Sequence, residues 1–240
     1  MNAKELLETL KGQLSPLYTQ PIATGGHDLP HVVRVAEMYP QIRFLVPDVN
    51  ETLYQIAAWL HNIDRVPHLQ KGAIRLRGLK AVLYEYLNPS DLTAEDKSFV
   101  VDAVLQHSKK KDEPDDSPLL RALRIADKWS RIDVLGITSG IAWLGGELPL
   151  YHIEKPFVYG STAEGEWKTH YGNFFRIIEW YAMYKDIRKL VARNPYGFRE
   201  ILFFVRAWGR AIAAAHNVTN TVEEDLRKCL GDYYKAWPPN

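Results

Sequence analysis

The sequence predicts an all-α fold, and three observations carry that expectation. Apolar residues recur at spacings of three and four, as at Leu53, Ile56, Ala57, Leu60 and Ile63, which is a helix period and not a strand period. Such stretches are bounded by residues that cap or stop helices: Asp28, Asn50 or Asp48 at their starts, Pro40 and Pro67 at their ends. With 240 residues, 46% of them apolar and 25% charged, the chain can bury a sizeable core without disulfides or metals as staples.

The elements follow in order. An amphipathic N-terminal stretch carries Leu6, Leu7, Leu10 and Leu14. A shorter helix is expected over Pro30–Tyr39, capped by Asp28, and a longer one over Glu51–Arg65. Further helices are expected at Ile74–Leu87, Ala94–His107 and Pro118–Leu135, the last extending onward. Gly145–Gly165, with four glycines, two prolines and several aromatics, reads as an ordered loop. Helices at Gly172–Arg193, Gly197–Ala215 and Val222–Trp237 complete the chain. This organisation is read as one domain over 1–240, with a core of about 25–140 and a C-terminal helical extension of about 166–237.

Composition narrows the function classes. Thirty Lys+Arg stand against 29 Asp+Glu, a formal net charge of +1, so there is no global electrostatic reason to expect a nucleic-acid polymer or an anionic membrane as partner. The run Lys109-Lys110-Lys111 is cancelled by Asp112, Glu113, Asp115 and Asp116. The N-terminus lacks the apolar core of a secretory signal. Ile201–Ala215, interrupted by Arg206, Gly209 and Arg210, falls short of the roughly 20 residues a spanning helix needs. The lone Cys229 suits a reducing compartment. A cytoplasmic protein is expected, in which the sequons at Asn50 and Asn217 are chance matches.

The chemistry sits in four separated clusters: Gly26–Val35 with His27, Asp28 and His31, then Ala57–Arg65 with His61, Asn62 and Asp64, then Val104–Ser108 with His107, then Leu123–Trp129 with Asp127 and Lys128. Each sets a histidine or carboxylate beside an apolar helical stripe, where an imidazole or charge is costly unless paired or metal-bound. A single such histidine is ordinarily a hydrogen-bonded core residue. Several on successive helices are more simply explained by a shared metal site, which helical bundles build from facing imidazoles and carboxylates.

The order His31-x-x-Arg34-Val35, His61-Asn62, His107, Ala126-Asp127-Lys128 resembles the HD-domain metal-dependent phosphohydrolase superfamily. The stretches Gly26-His27-Asp28-x-x-His31, Asp133-Val134-Leu135-Gly136-Ile137 and His170-Tyr171-Gly172-Asn173-Phe174-Phe175 are similar to its branch of nucleotide pyrophosphohydrolases. The resemblance implies an HD-type helical core, a divalent ion (Mn, Mg, Fe, Ni or Zn) held by His31, His61 and Asp127, and hydrolysis of a small phosphate substrate, a nucleotide first. His107 is implied near the site, as a second-metal ligand or a phosphate contact.

The chain departs from that pattern at Asn62, which stands where the family has the aspartate of its His-Asp pair. An amide offers one neutral oxygen where a carboxylate offers a full charge, so affinity for hard cations falls and a two-metal mechanism loses its bridging group. Asp64, three residues after His61, is the candidate replacement on the same helical face, as ligand or as general base. Its alternative is an ion pair with Arg65, Arg34 or a helix terminus. His27 is expected to cap or to support His31 rather than to ligate. Cations for a phosphate are sought among Arg65, Lys128, Arg131 and Lys109. Trp143, Tyr151, Phe157, Tyr159 and Trp167 are weighed as a base-stacking surface against a role in sealing the core. Besides the enzyme, two readings stay open: a degenerate HD domain that binds a nucleotide or protein partner without turnover, and a helical scaffold with structural histidines. Oligomeric state is not legible.

Overall fold

The computed structural model describes residues 1–19, 26–108, 113, 115–144, 148–157 and 169–239. Every regular element among them is a helix or helical turn. The backbone packs as two compact units, Met1–Ser130 and Arg131–Asn240. The division therefore falls between Ser130 and Arg131, short of residue 140, and the N-terminal helix ahead of residue 25 belongs to the first unit.

The first unit contains α1 (Ala3–Tyr18), α2 (Leu29–Glu37), α3 (Tyr39–Ile42), α4 (Glu51–Leu60), the short α5 (Pro67–Leu69) and α6 (Arg75–Arg77), α7 (Leu79–Leu87), α8 (Ala94–Gln106) and α9 (Pro118–Trp129). Asn2 and Glu5 form a capping box that starts α1. Its face of Leu6, Leu10, Leu14 and Tyr18 is almost wholly buried. Helix α4 is central, packed against α1, α2, α8 and α9, which is why Ile56, Ala57, Ala58 and Leu60 are each 0% exposed. Asp28 and Asn50 cap α2 and α4, accepting backbone N–H groups of His31 and of Thr52 and Leu53.

Several expected helices end early or break. The stretch Glu51–Arg65 stops being α-helical at Leu60, because Asn62 turns to φ −113°, ψ 17° and a 3-10 turn follows at Ile63–Arg65. Ile74–Leu87 is interrupted at Gly78, whose φ of +83° lies in the region that favours glycine. Pro118–Leu135 ends at Trp129: Ser130 donates its backbone N–H to Ala126 and its hydroxyl to Asp127 O at 2.8 Å. Asp133 restarts the helix by accepting the N–H of Gly136 at 2.8 Å.

The second unit contains α10 (Val134–Leu144), α11 (His170–Met183), α12 (Lys185–Arg193), α13 (Tyr196–His216) and α14 (Val222–Leu230), then a 3-10 turn at Gly231–Ala236. Extended backbone at Tyr184 divides α11 from α12 within the expected Gly172–Arg193 helix, and Gly231 at φ +54° ends α14 short of Trp237. Helix α11 packs against α10, α12, α13 and α14. Rings fill its contacts: Phe174 lies against Phe204 and Trp208, while Tyr181 and Phe198 stack at 4.6 Å and meet Trp237. A Cβ at Gly209 would lie 2.0 Å from Val222 Cγ2, so glycine there lets α13 and the start of α14 touch.

Candidate metal centre

The site lies in the first unit, at helix ends. His61 is the residue after α4, and its Nδ1 sits 2.6 Å from Ala58 O. A carbonyl only accepts, so Nδ1 carries the hydrogen and Nε2 keeps a bare lone pair. The neighbouring carbonyl, Trp59 O, takes the hydroxyl of Tyr18 at 3.0 Å. The last turn of α4 thus has two of its open carbonyls satisfied by side chains, and one of those side chains is a candidate ligand.

His31 enters from the first turn of α2, and Asp127 from the last turn of α9. Their donor atoms meet His61: the two Nε2 atoms are 3.3 Å apart, and His31 Nε2 is 3.2 Å from Asp127 Oδ1. One ligand atom from each residue lies within 4.8 Å of the others, so the three could hold a metal ion. His31 and His61 are 4% and 1% exposed, whereas Asp127 keeps 21% of its side chain accessible. The trio therefore has a closed imidazole side and an open carboxylate side.

Burial holds the His61 imidazole well below its ordinary pKa, helped by His31 and His107 and opposed by Asp127. A neutral ring is the form that ligates. Ser130 Oγ lies 3.5 Å from His31 Nδ1, and its own hydrogen goes to Asp127 O. It is therefore placed to accept from Nδ1 and leave His31 Nε2 as a ligand, the supporting contact that metal-bound histidines usually have. Tyr54, hydrogen-bonded to Val35 O, ties α4 to α2 beneath the trio.

Asn62 is buried at 2%, and its Nδ2 lies 2.7 Å from His61 Nε2. In this orientation the amide donates to the lone pair that would bind an ion. Turning the amide by half a revolution places Oδ1 there instead, and the two orientations differ only in hydrogen-bond partners.

The other candidates divide. His107 follows α8 and copies His61: its Nδ1 lies 2.7 Å from Val104 O, and its ring meets the His61 ring edge-on at 5.3 Å. It stands beside the trio, not within it. His27 packs edge-on against His31 at 5.8 Å, while the cap itself is Asp28. Asp64 does not share a helical face with His61, because the α-helix ends between them; its carboxylate is 3.3 Å from Arg65 Nε, and its charge is felt at the buried Tyr18 hydroxyl. Arg65 is half-buried in that pair and Lys128 is buried at 8%. Arg131 opens the second unit. Lys109, Tyr159 and Trp167 and the side chain of Trp143 lie outside the described residues. Tyr151 hydrogen-bonds His216 at 2.8 Å and Phe157 packs on Tyr171, both within the second unit.

Two residues escaped the sequence reading. Ser130 is signalled only by its position three after Asp127, one turn on. Arg124, fully buried, reaches Gln106 O at 3.2 Å and pairs with Asp116, which holds the end of α8 against α9; an arginine inside an apolar stripe was its signal.

No family model and no curated protein matches the sequence. Solved structures do. A protein of Lactobacillus plantarum superposes with a TM-score of 0.68 at 18% identity, covering 89% of this chain and 100% of that one. YpgQ of Bacillus subtilis, solved in complex with ADP, gives 0.56 at 18% identity, covering 88% and 98%. These likenesses show a shared fold. Among the described residues no helix is long and apolar enough to cross a membrane.

Proposed function

We propose that the chain is an HD-type metal-dependent phosphohydrolase acting on a nucleotide. The observation that carries this reading is the convergence of His31, His61 and Asp127, which come from three helices and 96 positions of sequence (31 to 127) to within 4.8 Å. The ADP bound by the similar YpgQ supports a nucleotide as substrate class.

The donor set fits a divalent ion: two neutral imidazoles, one carboxylate and an adjacent amide. Two nitrogens favour Mn, Fe, Ni or Zn over Mg. When bound, such an ion supplies Lewis-acid charge to a phosphoryl oxygen and acidifies water. The chain does the rest. His31 and His61 close the inner side against solvent, Asp127 faces the open side, and His107, with Nδ1 donating to Val104 O, offers the Nε2 lone pair to take a proton, and carrying that proton it can donate to a phosphate oxygen. With Asn62 in place of a carboxylate, ion and ligands sum to about +1, which favours an anionic substrate.

A second reading, a degenerate HD domain that binds without turnover, is favoured by one contact: Asn62 already occupies the His61 lone pair. The same experiment tests both. Elemental analysis of the purified chain is followed by phosphate release from ADP and a nucleotide panel with each metal. Release by the natural chain, abolished in His61→Ala, supports the hydrolase. Release only in Asn62→Asp supports the degenerate domain. Bound metal without release from either form rejects the hydrolase reading, and no bound metal in either form rejects the metal site itself.

A further inference from the structure

The second unit holds a cavity of about 540 Å³ between one face of α13 and the chain's tail, lined by residues that include Arg199, Phe203, Arg206, Arg210, Glu223 and Trp237. We propose that it is a binding site for an organic phosphate with a planar ring, of the nucleoside diphosphate class, separate from the metal trio. This goes beyond the proposed hydrolase and does not depend on it.

The charge is fixed in place. Arg206 grips Glu223 with two nitrogens, Nε to Oε1 at 2.7 Å and Nη2 to Oε2 at 3.3 Å, and Nη2 also reaches Trp237 O at 2.9 Å. Tyr234 donates to the same carboxylate at 2.7 Å. Those contacts hold the guanidinium rigid and leave its Nη1 without a partner among the described residues. Arg199 and Arg210 are exposed, and neither side chain has an ion pair or hydrogen bond there. Three guanidiniums thus line the cavity with one carboxylate, which already accepts three hydrogen bonds from Arg206 and Tyr234, and the surplus positive charge suits an anion.

The shape of the site narrows that anion. Residues 199, 203, 206 and 210 follow at spacings of four, three and four, one stripe along α13. Arg206 and Arg210 lie about 6 Å apart along the axis, a span that suits a diphosphate, and guanidinium forks match phosphate oxygens better than ammonium groups do. Phe203, one turn earlier, leaves 64% of its surface exposed. An exposed ring next to arginines is a platform for stacking a base. The volume is that of a small-molecule site, roughly 300–1,000 Å³, and its concavity argues against a flat protein contact.

The test is calorimetric titration of ADP into the full chain stripped of metal with EDTA. Saturable binding is expected. The surface variant Arg199→Ala/Arg210→Ala should weaken it by about tenfold or more, as loss of charged hydrogen bonds does, and Phe203→Ala should weaken it less. His31→Ala/His61→Ala should leave it within about twofold of the natural chain, since binding does not use the trio. No binding by the metal-free chain overturns the proposal. So does equal affinity in Arg199→Ala/Arg210→Ala, or loss of binding in His31→Ala/His61→Ala. Failure of the hydrolase reading shows separately, as absent phosphate release from the metal-loaded chain.

Discussion

At the end of α4, His61 folds Nδ1 onto the carbonyl of Ala58; at the end of α8, His107 folds Nδ1 onto the carbonyl of Val104, with nearly the same length, 2.6 and 2.7 Å. Both rings therefore present Nε2 outward. Each helix also has a second terminal carbonyl taken by a distant side chain, Trp59 O by Tyr18 and Gln106 O by Arg124. The outcomes differ. His61 is 1% exposed and stands among the donors of His31 and Asp127, while His107 is half-buried and stands outside them. Capping orients an imidazole; what the next helices bring to its Nε2 decides whether it joins a group that could hold an ion.

The comparison breaks first at metal content. His61→Ala should lower affinity for a divalent ion by more than about 100-fold, since losing even a supporting contact costs roughly 10–100-fold. His107→Ala should retain stoichiometric metal, both measured by elemental analysis after dialysis. Equal loss in the two variants would make the rings equivalent. Next comes the α8 terminus. Arg124→Leu leaves Asp116 buried without its cation, and denaturant unfolding should show a loss of about 3 kcal/mol or more. The α4 terminus should respond more mildly: Tyr18→Phe leaves Trp59 O unsatisfied in the core, at a cost of about 1–3 kcal/mol by the same measurement.

A third buried histidine sharpens the contrast. His170, at the start of α11, is 1% exposed, and burial alone lowers its pKa. Its folded form resists protonation while the unfolded ring takes a proton near pH 6.5. Stability is therefore present above that pH and falls as pH drops below it, until the folded ring also titrates. The slope should reach at most about 1.4 kcal/mol per pH unit, and His170→Gln should flatten it in urea titrations between pH 5 and 7.

The helical period was legible in the sequence because it is a local pattern, whereas the grouping of the trio rested on the resemblance of the four clusters, in their order, to a known superfamily. Stripes of apolar residues set the helices, and His31, His61 and Asp127 each sit where an apolar run meets a polar group. The end of α4 was not legible: the backbone leaves the helix at Asn62, and one of its last carbonyls, Trp59 O, is taken by Tyr18 from 41 positions away. The backbone turn at Asn62 and the 3-10 turn after it carry Asp64 off the His61 face and toward Arg65, a displacement no spacing argument could supply. Ser130 was missed because its value lies in closing α9 and facing His31 at once, two geometric facts with no pattern of their own. Likewise Arg206 and Arg210, on α13, stand in the sequence only as interruptions of an apolar stretch. Only the return of the tail against that helix gathers them around one cavity.

A ring that closes a helix has already surrendered its rotational freedom when the chain folds. The entropy of ordering His61 is thus met by folding and not by cation capture. The Asn62 amide, which sits on His61 Nε2, would turn by half a revolution to give an ion its oxygen. Under the proposed function, uptake of an ion at this terminus is expected to be a rapid event of small amplitude.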